Sequence, residues 1–177
     1  MLLGGVVLGL AALVAVEVLA GPGAPTAPPR EYEVKASFLY NFALFTRWPD
    51  EALAGGSLRV CVLGDDPFGA ALDGLSGMEA QGKPVAVARP ASASEARNCH
   101  ILFISRSEES QLPAILLALG SRSVLTIGDS HGLAQRGLVV SLFLVEGRVA
   151  FEVNARAARS ARLEISSKVL RLANAVY

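Results

Sequence analysis

The chain is poor in the side chains that carry chemistry. Two histidines and two cysteines occur among its 177 residues. His100 and His131 fall on different expected elements, and neither has a second ligand at metal spacing, so no metal site and no cofactor is expected. There is no Gly-rich phosphate loop, no dinucleotide fingerprint and no G-x-S-x-G elbow. Ser130-His131 spells a nucleophile and a base without an orienting acid, which makes a small esterase the weaker reading. Net charge is also missing: 16 basic residues cancel 16 acidic ones. With no basic stripe carrying interleaved aromatics, nucleic acid is not an expected partner. Catalysis is not expected either.

What is present is apolar residue. Hydrophobic side chains make up 52% of the chain and charged ones only 18%, which excludes disorder for the bulk of it. Residues 1–20 form an apolar run broken only by Glu17 and ending Val18-Leu19-Ala20. They read as a signal peptide cleaved after Ala20, the rival being an uncleaved anchor. Residues 21–30 are a Pro/Ala/Gly-rich tether. Residues 31–177 are the expected folded domain, a size that buries a core without metal staples.

Periodicity then sets the elements. Glu31 to Phe45 has helical spacing, with Val34, Phe38, Phe42 and Phe45 on one stripe, yet the helix is apolar nearly all round. Its second face is expected to pack under the C-terminal helix or to receive a partner or second copy. Strands follow at Leu58 to Gly64, Pro84 to Arg89, His100 to Ser105 and Ser123 to Gly128. Asp66-Pro67 opens a helix running through Leu75, and a capping box at Ser105 and Glu108 opens another that ends at Gly120. Helix-sized connections between strands argue for a parallel sheet. Leu138 to Val145 and Arg148 to Val153, split only by Glu146-Gly147, form a hairpin. Asn154 caps a helix through Ser160, and Ser166 caps a last helix whose Val169, Leu172 and Val176 share a face. The expected fold is a single α/β domain: a mixed, mostly parallel sheet with helices on both faces and a closing β-hairpin.

In such a sheet ligands sit at the carboxyl ends of the strands, which singles out Asp65, Asp66, Ser105 and Asp129 as candidate ligand-binding residues. Two acidic residues after the first strand resemble a phosphoryl-accepting site, but the Asp and Lys that such a site needs after later strands are missing. Asp66 and Asp129 have a plainer role as capping and turn residues. Cys61 in the first strand and Cys99 at the lip of the third have two readings. In an exported protein they form a disulfide across neighbouring strands, or they are two buried thiols.

Six segments together resemble the YfiR-like family: Glu31 to Pro49 (EYEVKASFLYNFALFTRWP), Cys61 to Gly69 (CVLGDDPFG), Cys99 to Glu108 (CHILFISRSE), Val124 to Asp129 (VLTIGD), Arg148 to Asn154 (RVAFEVN) and Ile165 to Ala173 (ISSKVLRLA). They run in the same order over essentially the whole domain. The resemblance implies a non-catalytic periplasmic repressor that binds the periplasmic region of a membrane-bound diguanylate cyclase, lowering cyclic-di-GMP signalling and biofilm formation. It also implies an outer-membrane lipoprotein as a second partner, and control through disulfides. Cys61 and Cys99 match the family's first cysteine pair, whereas the second pair, near the closing hairpin, is absent here. The expected contact surface is Arg162, Glu164, Ile165, Val169 and Leu172, with the aromatic helix as second choice or as a homodimer seam. The alternative is a small-molecule-binding domain using the carboxyl ends of the strands.

Overall fold

The computed structural model describes residues 29–177. The signal-peptide reading and most of the tether fall outside the described residues. Helix α1, Pro29–Phe45, takes in the last two residues of the expected tether. Proline is tolerated there because the first turn of a helix has no use for its missing N–H.

The chain continues through β1 (Thr46–Arg47), β2 (Leu58–Leu63), α2 (Ala70–Asp73), β3 (Glu79–Ala80), β4 (Lys83–Ala88), β5 (Ile101–Ile104), α3 (Leu112–Leu119), β6 (Leu125–Gly128), β7 (Val140–Val145), β8 (Arg148–Val153), α4 (Ala155–Ser160), β9 (Glu164–Ile165), α5 (Ser167–Leu170) and β10 (Ala175–Val176). Eight strands form one sheet in the order β10-β8-β7-β6-β5-β2-β4-β3, and β1 pairs with β9 in a separate ribbon. Strands β4, β2, β5, β6 and β7 run parallel, and the β7–β8 hairpin and the short β3 supply the antiparallel pairs. This is the expected mixed, mostly parallel α/β domain. The hairpin turns through Glu146 and Gly147, both at positive φ (49° and 75°), which lets two residues reverse a right-twisted ribbon.

The central strands are buried on both faces because helices cover both. Residue alternation sends Val60 and Val62 of β2 toward α1, and Cys61 and Leu63 toward α3. Phe103, Ile127, Leu142 and Phe151 join the α1 side, and Leu102, Ile104, Ile115 and Leu138 the α3 side.

Several local expectations are corrected. The buried stripe of α1 holds Lys35, Ala36, Leu39, Phe42 and Ala43, while Val34 and Phe45 are 42% and 40% exposed. An ion pair turns the helix from the phase that aromatic spacing predicts. Asp66 caps no helix: its Oδ1 accepts from the Phe68 amide at 2.8 Å, and α2 begins only after Gly69. The Ser105 capping box does not form, and Arg106 to Gln111 take a 3-10 turn instead. Pro113 suits only the first turn of an α-helix, so α3 starts at Leu112. The caps at Asn154 and Ser166 form as expected. The last helix stops at Leu170, however, and Val176 lies on β10, parallel to β8. There the amides of Asn174 and Tyr177 donate to Phe151 and Val153 carbonyls at 2.8 and 2.9 Å. The open edge of β8 offers backbone partners that a further turn of exposed helix would not.

Candidate protein-interaction groove

Phe38, Phe42 and Phe45 recur at four and three residues along α1 and so project on adjacent faces of the helix. Phe151 of β8 meets the first two edge to face, with ring centroids 5.7 and 5.5 Å apart. The C-terminal segment crosses beside them. Register pairs Thr46 with Ile165 and Arg47 with Glu164, and the Ser166 amide donates to the Phe45 carbonyl at 2.9 Å. Between the two walls lies a groove of about 300 Å³ lined by Phe38, Phe42, Phe45, Phe151, Val169 and Leu172, with Lys168 and Asn41 at its rim. Val169 is its buried floor and Leu172, 75% exposed, its lip. A second cavity of about 440 Å³ adjoins at Phe45 and takes in Arg47, Gln81, Glu164 and Ile165. Gln81 closes the end of α1 by donating to the Ala43 and Leu44 carbonyls.

Four of the five expected contact residues, Glu164, Ile165, Val169 and Leu172, therefore gather around Phe45 of the aromatic helix. Arg162 stands apart: its Nη1 pairs with Glu51 at 2.6 Å and it lines a different cavity. Without Arg162, α1 and the C-terminal segment converge on one surface.

The carboxyl ends of the strands are arranged differently. Asp129 is 1% exposed and its carboxylate is fully engaged. Tyr32 donates to Oδ2 at 2.8 Å, Lys35 pairs with Oδ1, and Arg106 Nε stands 3.3 Å from Oδ2. Burial, followed by the hydrogen bond to Asp129, pushes the Tyr32 hydroxyl far above its ordinary range, so it remains a donor. Asp66 pairs with Arg89 at 2.6 Å. The Asp65 amide donates to Ser107 Oγ, and the buried Ser105 donates its amide to the Leu63 carbonyl. The carboxylates of Asp129 and Asp66 and the backbone amides of Asp65 and Ser105 thus serve the chain's own bonding, and none of the four residues lines the two cavities around Phe45. Lys35 is the participant that sequence reasoning missed. Its only signal is Glu31 one turn earlier, which looks the same on a solvated face.

The remaining reactive side chains are spent locally. His100 Nδ1 accepts from the Arg59 amide and Nε2 donates to the Ala52 carbonyl, both at 2.9 Å, and burial holds its pKa below 6.5. Ser130 donates to Glu109 while His131 Nε2 lies 3.2 Å from Glu152, so the two have different partners. Among the described residues no group of three or more His, Cys, Asp or Glu side chains is placed to hold a metal. Nor is any helix among them long and apolar enough to cross a membrane.

Cys61 and Cys99 are joined in a disulfide, with Cα atoms 6.1 Å apart. It ties β2 to the segment entering the neighbouring β5.

Fold and groove together define a disulfide-bridged α/β domain whose open feature is an apolar aromatic surface. The YfiR/HmsC-like family model matches residues 32–174, and the chain belongs to that family, whose general role is that of a periplasmic, non-catalytic regulator of diguanylate cyclase signalling. No curated protein matches the chain. Among solved structures it is similar to a conserved domain protein from Vibrio cholerae O1 biovar El Tor, with a TM-score of 0.54 and 13% identity over 83% of this chain and 60% of that one. It is also similar to an ABC domain from Streptococcus pneumonia in complex with L-Trp, with a TM-score of 0.51 and 13% identity over 72% of this chain and 57% of that one. The chain spans less than two thirds of the length of either, and at this identity the likeness is one of fold.

Proposed function

We propose that the chain is a periplasmic repressor that binds the periplasmic region of a membrane-bound diguanylate cyclase through the groove around Phe45, lowering cyclic-di-GMP and biofilm formation. The observation that carries this reading is the groove itself, where exposed Phe45 and Leu172 flank a buried floor. A large apolar side chain of a partner seated there loses water on several sides, and such aromatic-lined pockets concentrate binding energy. Lys168 and Glu164 at the margins supply a polar rim. An outer-membrane lipoprotein that competes for the same surface would relieve repression, and a second copy of the chain is a further occupant of the same face.

The small-molecule alternative draws less support, because Asp129, its central residue, is saturated by Tyr32, Lys35 and Arg106. Deleting the gene is expected to raise cyclic-di-GMP, and the unaltered gene to restore it. Leu172→Asp and Phe45→Asp, at exposed positions, are expected to leave the melting temperature nearly unchanged and to fail in complementation. Each would weaken capture of the cyclase's periplasmic region by about 30-fold, the measure of a 2 kcal/mol hot spot. Full repression by both variants would refute the groove as the contact, and an unchanged cyclic-di-GMP level on deletion would refute the repressor reading.

A further inference from the structure

Positive charge gathers at the amino ends of the strands, away from Asp129. A cavity of about 460 Å³ is lined there by four arginines, Arg59, Arg97, Arg122 and Arg162, against one carboxylate, Glu51. The whole chain is neutral, so this is a local excess and not an overall basic character. The four come from separate places: Arg59 from β2, Arg97 from the 3-10 turn Glu95–Asn98, Arg122 from the loop before β6, and Arg162 from the loop after α4. Of these four, only Arg162 has an acidic partner among the described residues, and that pair is open to water, with side chains 58% and 63% exposed. So exposed a pair is weakly held and can exchange for a better anion.

One further observation points to a ligand here. Ser123, also in the lining, is 8% exposed, and its Oγ is a buried hydroxyl without a hydrogen-bond partner. Such a hydroxyl is costly unless something completes it. The wall behind is rigid. His100 is fixed by the Arg59 amide and the Ala52 carbonyl, and Cys99 is tied to Cys61.

We infer that this cavity is a binding site for a small phosphate-bearing anion carrying two or more negative charges. Guanidinium groups match phosphate oxygens with paired N–H donors. Several arginines around a cavity of this size suit a ligand larger than a single ion, within the range of small-molecule sites. The inference does not rest on the cyclase reading, since the Phe45 groove shares no lining residue with this cavity.

The test is calorimetric titration of the purified, disulfide-intact protein with inorganic pyrophosphate, and with citrate as a carboxylate of similar charge, at matched ionic strength. Pyrophosphate is expected to bind saturably at millimolar concentration or below, and citrate more weakly. Arg97→Gln and Arg122→Gln, both at exposed positions, are each expected to weaken pyrophosphate binding about tenfold, the loss of one charge-assisted contact. Arg97→Lys should lose less, and Arg148→Gln on the β7–β8 hairpin should lose nothing. Absence of saturable binding, or equal affinity in the Arg97, Arg122 and Arg148 variants, would overturn the site. Tighter binding of citrate than pyrophosphate would overturn the phosphate assignment.

Discussion

Lys35 and Asp129 form an ion pair across 94 positions of sequence, with side chains only 0% and 1% exposed. The pair joins the first helix to the carboxyl end of β6, and Glu31, Tyr32 and Arg106 complete its bonding. A buried charge is tolerated only when its partners replace water, so the cluster fixes the rotation of α1 as well as its position. That rotation presents Phe45 outward, which links the pair to the groove.

Lys35→Ala is expected to cost about 3–5 kcal/mol in urea unfolding, because it leaves the Asp129 carboxylate buried and short of a counter-charge. Lys35→Met combined with Asp129→Leu should cost clearly less than Lys35→Ala alone. A double variant less stable than the single one would show that the pair contributes more than mutual neutralisation.

Removing the disulfide should also be visible. It closes a loop with a sequence separation of 38 residues, for which the chain-entropy relation gives about 4 kcal/mol. Cys61→Ala with Cys99→Ala is expected to lose about that much, measured by denaturant midpoint under non-reducing conditions. The untreated protein should show no free thiol when denatured.

His100 makes stability depend on pH. Burial lowers its pKa below 6.5 in the folded chain, so on acidification the unfolded chain takes up the proton first. Its contribution is therefore complete above about pH 6.5 and is lost as pH falls through the folded value. The unaltered protein is expected to lose stability between pH 7 and pH 5 more steeply than His100→Asn. The difference in slope should approach, at most, about 1.4 kcal/mol per pH unit. Identical slopes in urea titrations of the two proteins would refute this role.

Local signals in the sequence carried much of the architecture. Glu146-Gly147 between two apolar runs marked the hairpin, the apolar run from His100 to Ser105 marked the strand whose Ile101 to Ile104 are buried, and Asn154 and Ser166 marked helix starts. Each rests on chemistry within a few residues: turn conformers, period and side-chain caps. Where a distant partner was available the local signal lost, as at Val176, which is drawn onto β8. The phase of α1 departs from its aromatic spacing for the same reason, since a lone lysine on an apolar helix is seen as buried only once Asp129 stands opposite it.

The groove shows the same division. Its ingredients, aromatic residues on the first helix and apolar ones in the last segment, were readable from composition and spacing, as was the cysteine pair. That Phe45 sits between Ile165 and Leu172, and that Arg162 instead pairs with Glu51 at a cavity lined by three other arginines, was decided by strand order and by the β1–β9 pairing. The sequence by itself determined which elements form and which residues are apolar, because those depend on neighbours along the chain. Only the tertiary structure decided which faces meet, because buried charges and open strand edges take their partners from whatever the topology brings within reach.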